Sequence, residues 1–208
     1  DVTIQALVGL LEVRDIESSN HTRRTQWMMK AMCVNLRGIE PYGTILTDAY
    51  ISELFSTAPL HDIGKVGIPD HILLKPGKLT PEEFEIMKKH TTYGVEALRL
   101  AGNESAKLSF ICTALDIVGT HHEKFDGSGY PAGLKGKDIP LAGRLMAIID
   151  VYDALVSQRV YKPAFSHQAA LDIIGGERGK HFDPELVDAF FEIQEEIKAI
   201  AERFMPVA

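Results

Sequence analysis

At 208 residues, with 45% hydrophobic and 25% charged side chains, the chain has the make-up of one globular domain able to bury a sizeable core. Its net charge of −7 argues against a broad nucleic-acid-binding face, which would need clustered Lys and Arg, but leaves room for a small phosphorylated ligand held by bound cations. No run of about 18 apolar residues marks a membrane span, and Cys33 and Cys112, outside any CxxC pattern, read as reduced, partly buried thiols of a cytoplasmic protein.

Taken in chain order, the pattern is helical nearly throughout. Val2 to Arg14 sets Ile4, Leu7, Val8 and Leu11 on one helical face. Ser18-Ser19-Asn20 interrupts it, with Asn20 expected to cap a second helix that runs through Leu36 and stops at Gly38. Thr47 caps the next, which approaches His61-Asp62 irregularly because Pro59 falls one turn earlier. Thr80-Pro81-Glu82-Glu83 combines an N-cap, a proline at the first position and a capping-box glutamate, opening a helix with His90 at or near its end. A helix from Ser105 to Thr120 delivers His121-His122 at its C-terminus. Pro140 opens another through Val156, with Asp150 and Asp153 one turn apart. Ser166 and Asp183-Pro184 open the last two, the final one carrying Leu186, Val187, Phe190 and Ile193 as an apolar stripe. No segment alternates like a strand for more than four residues, so the fold class is all-α. The exception is residues 123–139, seventeen residues with four glycines and one proline. A loop of that length in a compact domain is usually functional, and its Phe125, Asp126 and Tyr130 suit a structured lip over a site.

His61, Asp62, His90, His121, His122 and Asp150 come from four separate segments, as expected of a site assembled inside a helical bundle. Glu17 and His21, four residues apart, add a further contribution, either on one helical face or with Glu17 in a loop. Taken singly, a buried His is more often a hydrogen-bonded core residue than a ligand, and His71, His167 and His181 are read that way. Asp62 and Asp150 alone would pass for capping or salt-bridging groups. Together, so many imidazoles and carboxylates would be costly to bury unpaired, and a cluster of Fe, Mn or Zn ions satisfies them all.

Leu60-His61-Asp62-Ile63-Gly64-Lys65-Val66-Gly67-Ile68-Pro69-Asp70, then Lys75-Pro76-Gly77-Lys78-Leu79-Thr80, then His121 to Pro131 closely resemble the HD-GYP family, a branch of the HD-domain phosphohydrolases that hydrolyses cyclic di-GMP. The resemblance runs from about Arg14 to Pro184. It implies an HD-domain helical bundle over 1–208, with residues 1–16 as a linking helix, and metal ligands at His61, Asp62, His90, His121, His122 and Asp150. Glu17 and His21 match the pair that some members use for a third metal, although the usual Thr-Gly between them is Ser18-Ser19 here. Two or three divalent ions are therefore expected, iron first and manganese as the alternative. Three carboxylates against three divalent cations leave a formal excess of about +3, and against two about +1, a field suited to two phosphodiester charges. The implied reaction is attack of a metal-bridged hydroxide on phosphorus, giving pGpG and, with a third metal, onward GMP.

By position in the family pattern, Lys65 is a phosphate contact, and Arg159 and Lys162 hold phosphates or guanine; read alone, these are a solvated lysine and a basic helix C-terminus. Gly129-Tyr130-Pro131 resembles the element that names the family, with Tyr130 either stacking on guanine or packing the loop on the core. Gly127 and Gly129 allow tight turns or close approach, and Asp126 and Asp153 are expected to orient the histidines or the loop. Three further readings stay open: preference for a cyclic GMP-AMP, a weakly catalytic sensor or module docking a diguanylate cyclase (GGDEF) domain, and a generic HD nucleotidase. The family also implies an upstream sensory or receiver domain before Asp1, with the first helix transmitting a signal or joining a homodimer.

Overall fold

The computed structural model describes residues 2–14, 20–102, 108–157 and 164–204. Its helices are α1 (Val2–Arg14), α2 (His21–Leu36), α3 (Tyr42–Ile45), α4 (Asp48–Thr57), α5 (Asp70–Leu73) and α6 (Pro81–Met87), followed by α7 (His90–Gly102), α8 (Leu108–Thr120), α9 (Leu141–Val156), α10 (His167–Gly176), α11 (Pro184–Glu192) and α12 (Gln194–Arg203). Among the described residues there is no strand, only an isolated bridge between Arg178 and Phe182, so the all-α expectation stands.

The main core forms where α2 packs against α4, α9 and α12. Met28, Met29, Met32 and Leu36 of α2 meet Leu145, Met146, Ile149 and Tyr152 of α9, with Phe182, Leu186, Phe190 and Ile197 closing the far side. Each such side chain taken fully out of water contributes about 1.5–3 kcal/mol of transfer free energy. A smaller cluster of Val8, Leu60, Ala114 and Val118 seats α1 and α8 around residues 58–60. The end of α1 is pinned by Arg14, whose guanidinium donates to Val66 O (2.6 Å), Ile68 O (2.9 Å) and Asp70 Oδ1 (2.7 Å).

Thr47, Thr80, Ser166 and Asp183 each accept a backbone N–H as N-caps, and Thr80 with Glu83 completes a capping box. Asn20 does not cap: it sits in the left-handed region (φ 67°) and its amide donates to Phe204 O at 3.2 Å instead. The helix opened by Thr80 ends at Met87, so His90 begins α7 rather than ending α6. The final helix likewise divides. Ile193 leaves helical geometry (φ −111°, ψ 20°), terminating α11 and starting α12, so Ile193 joins two helices instead of extending one stripe. Ser105 lies outside the described residues. Cys33 is buried, which pushes its thiol up to about 12, whereas Cys112 is exposed rather than partly buried; neither is in a disulfide. No helix among the described residues is long and apolar enough to cross a membrane.

Candidate metal centre

Five elements bring their chemistry to one end of the bundle. Residues 58–60 continue α4 as a tight 3₁₀ turn containing Pro59, and the chain leaving it presents His61 and Asp62. The next 3₁₀ turn, Ile63–Gly67, lies against α7 so closely that a Cβ on Gly64 would fall 1.8 Å from His90 O. Glycine is therefore required there, and the contact places His90 beside Asp62. α8 ends at Thr120 and hands over His121 and His122; α9 contributes Asp150, and the first residue of α2 is His21.

The ring orientation of four histidines is fixed from behind. Nδ1 of His61 lies 2.9 Å from Ala58 O, that of His90 2.8 Å from Met87 O, that of His121 3.1 Å from Ile117 O, and that of His21 2.7 Å from Asp153 Oδ2. Each Nδ1 thus donates its proton, and each Nε2 turns a lone pair into the site. The candidate ligand atoms form two groups, each with all members within 4.8 Å of one another: Asp62, His90, His121 and His122, and His21, His61 and Asp150. Asp62 joins them, since its Oδ1 is 3.3 Å from His90 Nε2 and its Oδ2 is 3.3 Å from His61 Nε2. Lys65 Nζ lies 2.8 Å from the same Oδ2.

Two observations show that these residues fit divalent cations. Asp62 Oδ1 is buried without a hydrogen bond among the described residues, a state that is costly unless a cation compensates it. The Nε2 atoms of His21 and His61 face each other at 3.2 Å, although both rings already donate through Nδ1. For His90 and His122 the titration behaviour agrees. Burial, reinforced by His121, keeps His122 well below its ordinary value, and burial takes His90 down to about 4, so both are neutral donors at neutral pH. Burial opposes charge on His61 too, but Asp62 and Asp150 outweigh it and raise its pKa. Burial would lift Asp62, yet Lys65 and His61 hold it well below the usual carboxylate range.

Asp153 stands behind His21, as its one-turn spacing from Asp150 suggests, and binds Arg24 through Nε (2.5 Å) and Nη2 (2.9 Å). Burial acts to raise this carboxyl, but Arg24 and His21 hold it at about 2. Asp126 is exposed and accepts Ser128 N at 2.8 Å, so it shapes the loop and does not orient a histidine. Tyr130 packs against the site: its ring stacks on His122 at 4.8 Å and its N–H donates to His122 O. A Cβ on Gly129 would meet Lys124 N at 2.3 Å and Glu123 Cα at 2.5 Å, so the loop folds directly onto its own stem. Glu17, Arg159 and Lys162 lie outside the described residues. His167 Nδ1 pairs with the Tyr152 hydroxyl at 2.8 Å and His181 stacks on Phe182, in keeping with structural roles, whereas His71 is exposed and not in the core.

Sequence reasoning passed over two residues. Arg24 is 1% exposed, and its i, i+3 spacing from His21 was the available signal. Glu123 is buried, with Oε1 accepting Ala132 N (2.7 Å) and Gly133 N (3.1 Å) and Oε2 accepting Leu134 N (3.1 Å). It ties the far arm of the loop to His122, and nothing local in the sequence marks it.

The family described as "HD domain" matches residues 10–186. A "Cyclic di-GMP phosphodiesterase" of Vibrio cholerae is 54% identical over 208 residues, all of this chain and 42% of the relative. A "3'3'-cGAMP-specific phosphodiesterase 2" of the same organism is 41% identical over 194 residues, 93% of this chain and 35% of the relative. The chain therefore spans less than half the length of these curated relatives. Among solved structures, an HDG"Y"P protein from Bdellovibrio bacteriovorus superposes with a TM-score of 0.59 at 22% identity, covering 92% of this chain and 57% of that one, a likeness of fold.

Proposed function

The chain belongs to the HD domain family, in its HD-GYP branch, and on that premise we propose that it is a metal-dependent phosphodiesterase that opens cyclic di-GMP to pGpG. The observation that carries this is the pair of His/Asp groups joined through Asp62, with Lys65 on one side and the Gly129-Tyr130-Pro131 loop on the other.

Asp62, His90, His121 and His122 would hold one divalent ion and His21, His61 and Asp150 another, with Asp62 lying beside both groups. Bound there, such ions lower the pKa of water toward neutrality and stabilise charge on phosphoryl oxygens. The backbone acceptors behind His61, His90 and His121, and Asp153 behind His21, hold the donor atoms at fixed angles so that little reorganisation accompanies reaction. Lys65, a compact cation beside Asp62, donates to the phosphodiester as charge develops. Tyr130, fixed on His122, forms a wall for the substrate, and Arg159 and Lys162 complete the phosphate and guanine contacts. Glu17 with His21 would extend the centre to a third ion and the reaction to GMP. Iron is the first choice of metal, manganese the second. In the same reading the chain is the cytoplasmic catalytic part of a longer signalling protein that carries a sensory or receiver domain and meets a GGDEF domain or a second copy of itself.

The 41% identical relative named for cyclic GMP-AMP motivates one second reading, a preference for that mixed dinucleotide. Anaerobic reconstitution with Fe(II) or Mn(II), followed by chromatography of each dinucleotide after incubation, tests both. The expected result is faster loss of cyclic di-GMP, reduced more than ~100-fold in His61→Ala or Asp62→Ala. Faster loss of cyclic GMP-AMP would select the second reading. Fully metallated protein that binds either dinucleotide and leaves it intact would overturn the enzyme in favour of a sensor.

A further inference from the structure

We infer that a second site, on the outer face of α2, binds a small aromatic phosphate of the nucleoside monophosphate class, separately from the metal centre. α2 has two working faces: His21 and Arg24 turn toward Asp153 and the metal ligands, whereas Arg23 and Trp27 turn outward. The outward face borders a cavity of about 500 Å³ that Arg23, Trp27, Phe55, Arg203 and Phe204 line, a volume in the range of small-ligand pockets.

Its chemistry is selective. In a chain of net charge −7, two guanidinium groups converge on this cavity and no carboxylate lines it among the described residues. Neither Arg23 nor Arg203 has an acidic partner among the described residues; Arg203 instead lies over the Trp27 ring at 5.9 Å and over Phe204 at 5.2 Å. Lys30 Nζ, outside the cavity lining, lies 5.4 Å from the Trp27 ring centroid. A guanidinium resting on an aromatic face keeps its forked N–H edge free for a phosphate, to which it can donate two parallel bonds. Trp27 is 37% exposed, and Phe55 meets it edge-on at 5.4 Å while Gln26 Nε2 anchors the Phe55 carbonyl at 3.0 Å. The exposed part of Trp27, beside the Arg203 guanidinium, offers a planar base an aromatic contact. Phosphate alone would use half of the site and an uncharged ring the other half; a nucleoside monophosphate uses both.

Trp27 is the chain's sole tryptophan, so its fluorescence reads the site directly. Metal-loaded protein is titrated with GMP and, in parallel, with guanosine, and Arg203→Ala is titrated alongside. The expected result is a saturable change in Trp27 emission with a GMP midpoint below about 1 mM. Guanosine binding should be at least about tenfold weaker, and so should GMP binding by Arg203→Ala, because the charge-assisted contact is missing. Hydrolysis by Arg203→Ala should be unchanged, which separates this site from the metal centre. Emission that never saturates, guanosine binding as tight as GMP, or an unaltered GMP midpoint in Arg203→Ala would overturn the inference.

Discussion

Asp153 is 1% exposed, and both carboxylate oxygens are engaged, Oδ1 by Arg24 and Oδ2 by His21 and Arg24. Removing one member of such a buried ionic group leaves charge without compensation, which costs about 3–5 kcal/mol. Asp153→Ala is accordingly expected to lower urea-measured stability by ~3–5 kcal/mol and to weaken metal binding through His21; a loss below about 1 kcal/mol would show that Arg24 is compensated elsewhere. Gly64→Ala confronts backbone with backbone, since the new Cβ would lie 1.8 Å from His90 O and 2.5 Å from Gly94 N. It should cost about 1–3 kcal/mol or more by overpacking and should shift His90, so that hydrolysis falls even at temperatures where the protein stays folded. Unchanged activity in a folded Gly64→Ala protein would contradict this placement of α7. At this scale, legibility followed sequence distance. His61-Asp62 and His121-His122 announce their chemistry as adjacent pairs. Arg24 and Asp153 lie 129 positions apart, and no local pattern joins them.

The loop over residues 123–139 is held at three places: Glu123 accepts from Ala132, Gly133 and Leu134, Phe125 and Asp126 donate to His181 and Lys180 carbonyls, and Tyr130 stacks on His122. Glu123→Ala strands three amides at a cost of about 1–3 kcal/mol, confined to the loop. Hydrogen exchange should therefore accelerate at residues 132–134 while α2 and α9 keep their protection, and substrate KM should rise before thermal stability changes. Equal protection of residues 132–134 in the variant would remove Glu123 from this role. Helix starts were readable wherever a short polar side chain takes the N-cap, as Thr47, Thr80, Ser166 and Asp183 do. The divisions after Met87 and at Ile193 were not, because Lys88-Lys89 and Ile193-Gln194 carry no glycine or proline. There the docking of α7 against Gly64, and of α12 against α2, sets the break.

For the whole molecule, the bundle brings α2, α7, α8 and α9 to one candidate centre, where Asp62 Oδ1 is buried without a hydrogen bond among the described residues. Metal that binds only the folded chain stabilises it by about 2.7 kcal/mol at a hundredfold excess over Kd. Chelation should thus lower Tm by roughly 5–10 °C for a chain of this size, and restoring Fe(II) or Mn(II) should return it; a Tm indifferent to chelator would argue for a metal-free core. The candidate centre was legible in the sequence because most of its His and Asp residues fall in compact motifs. The cavity between Arg23 and Arg203 was not, because its walls come from opposite ends of the chain and only folding joins them.

The most direct test of two joined metal sites is the number of ions per chain after anaerobic reconstitution, in the unaltered protein and in His122→Ala and His21→Ala proteins of unchanged helical content. At least two divalent ions are expected in the first, with each substitution removing one and leaving the other. One ion in the unaltered protein, or the same count in all three, would contradict the assignment of His21, His61 and Asp150 as a site distinct from that of Asp62, His90, His121 and His122.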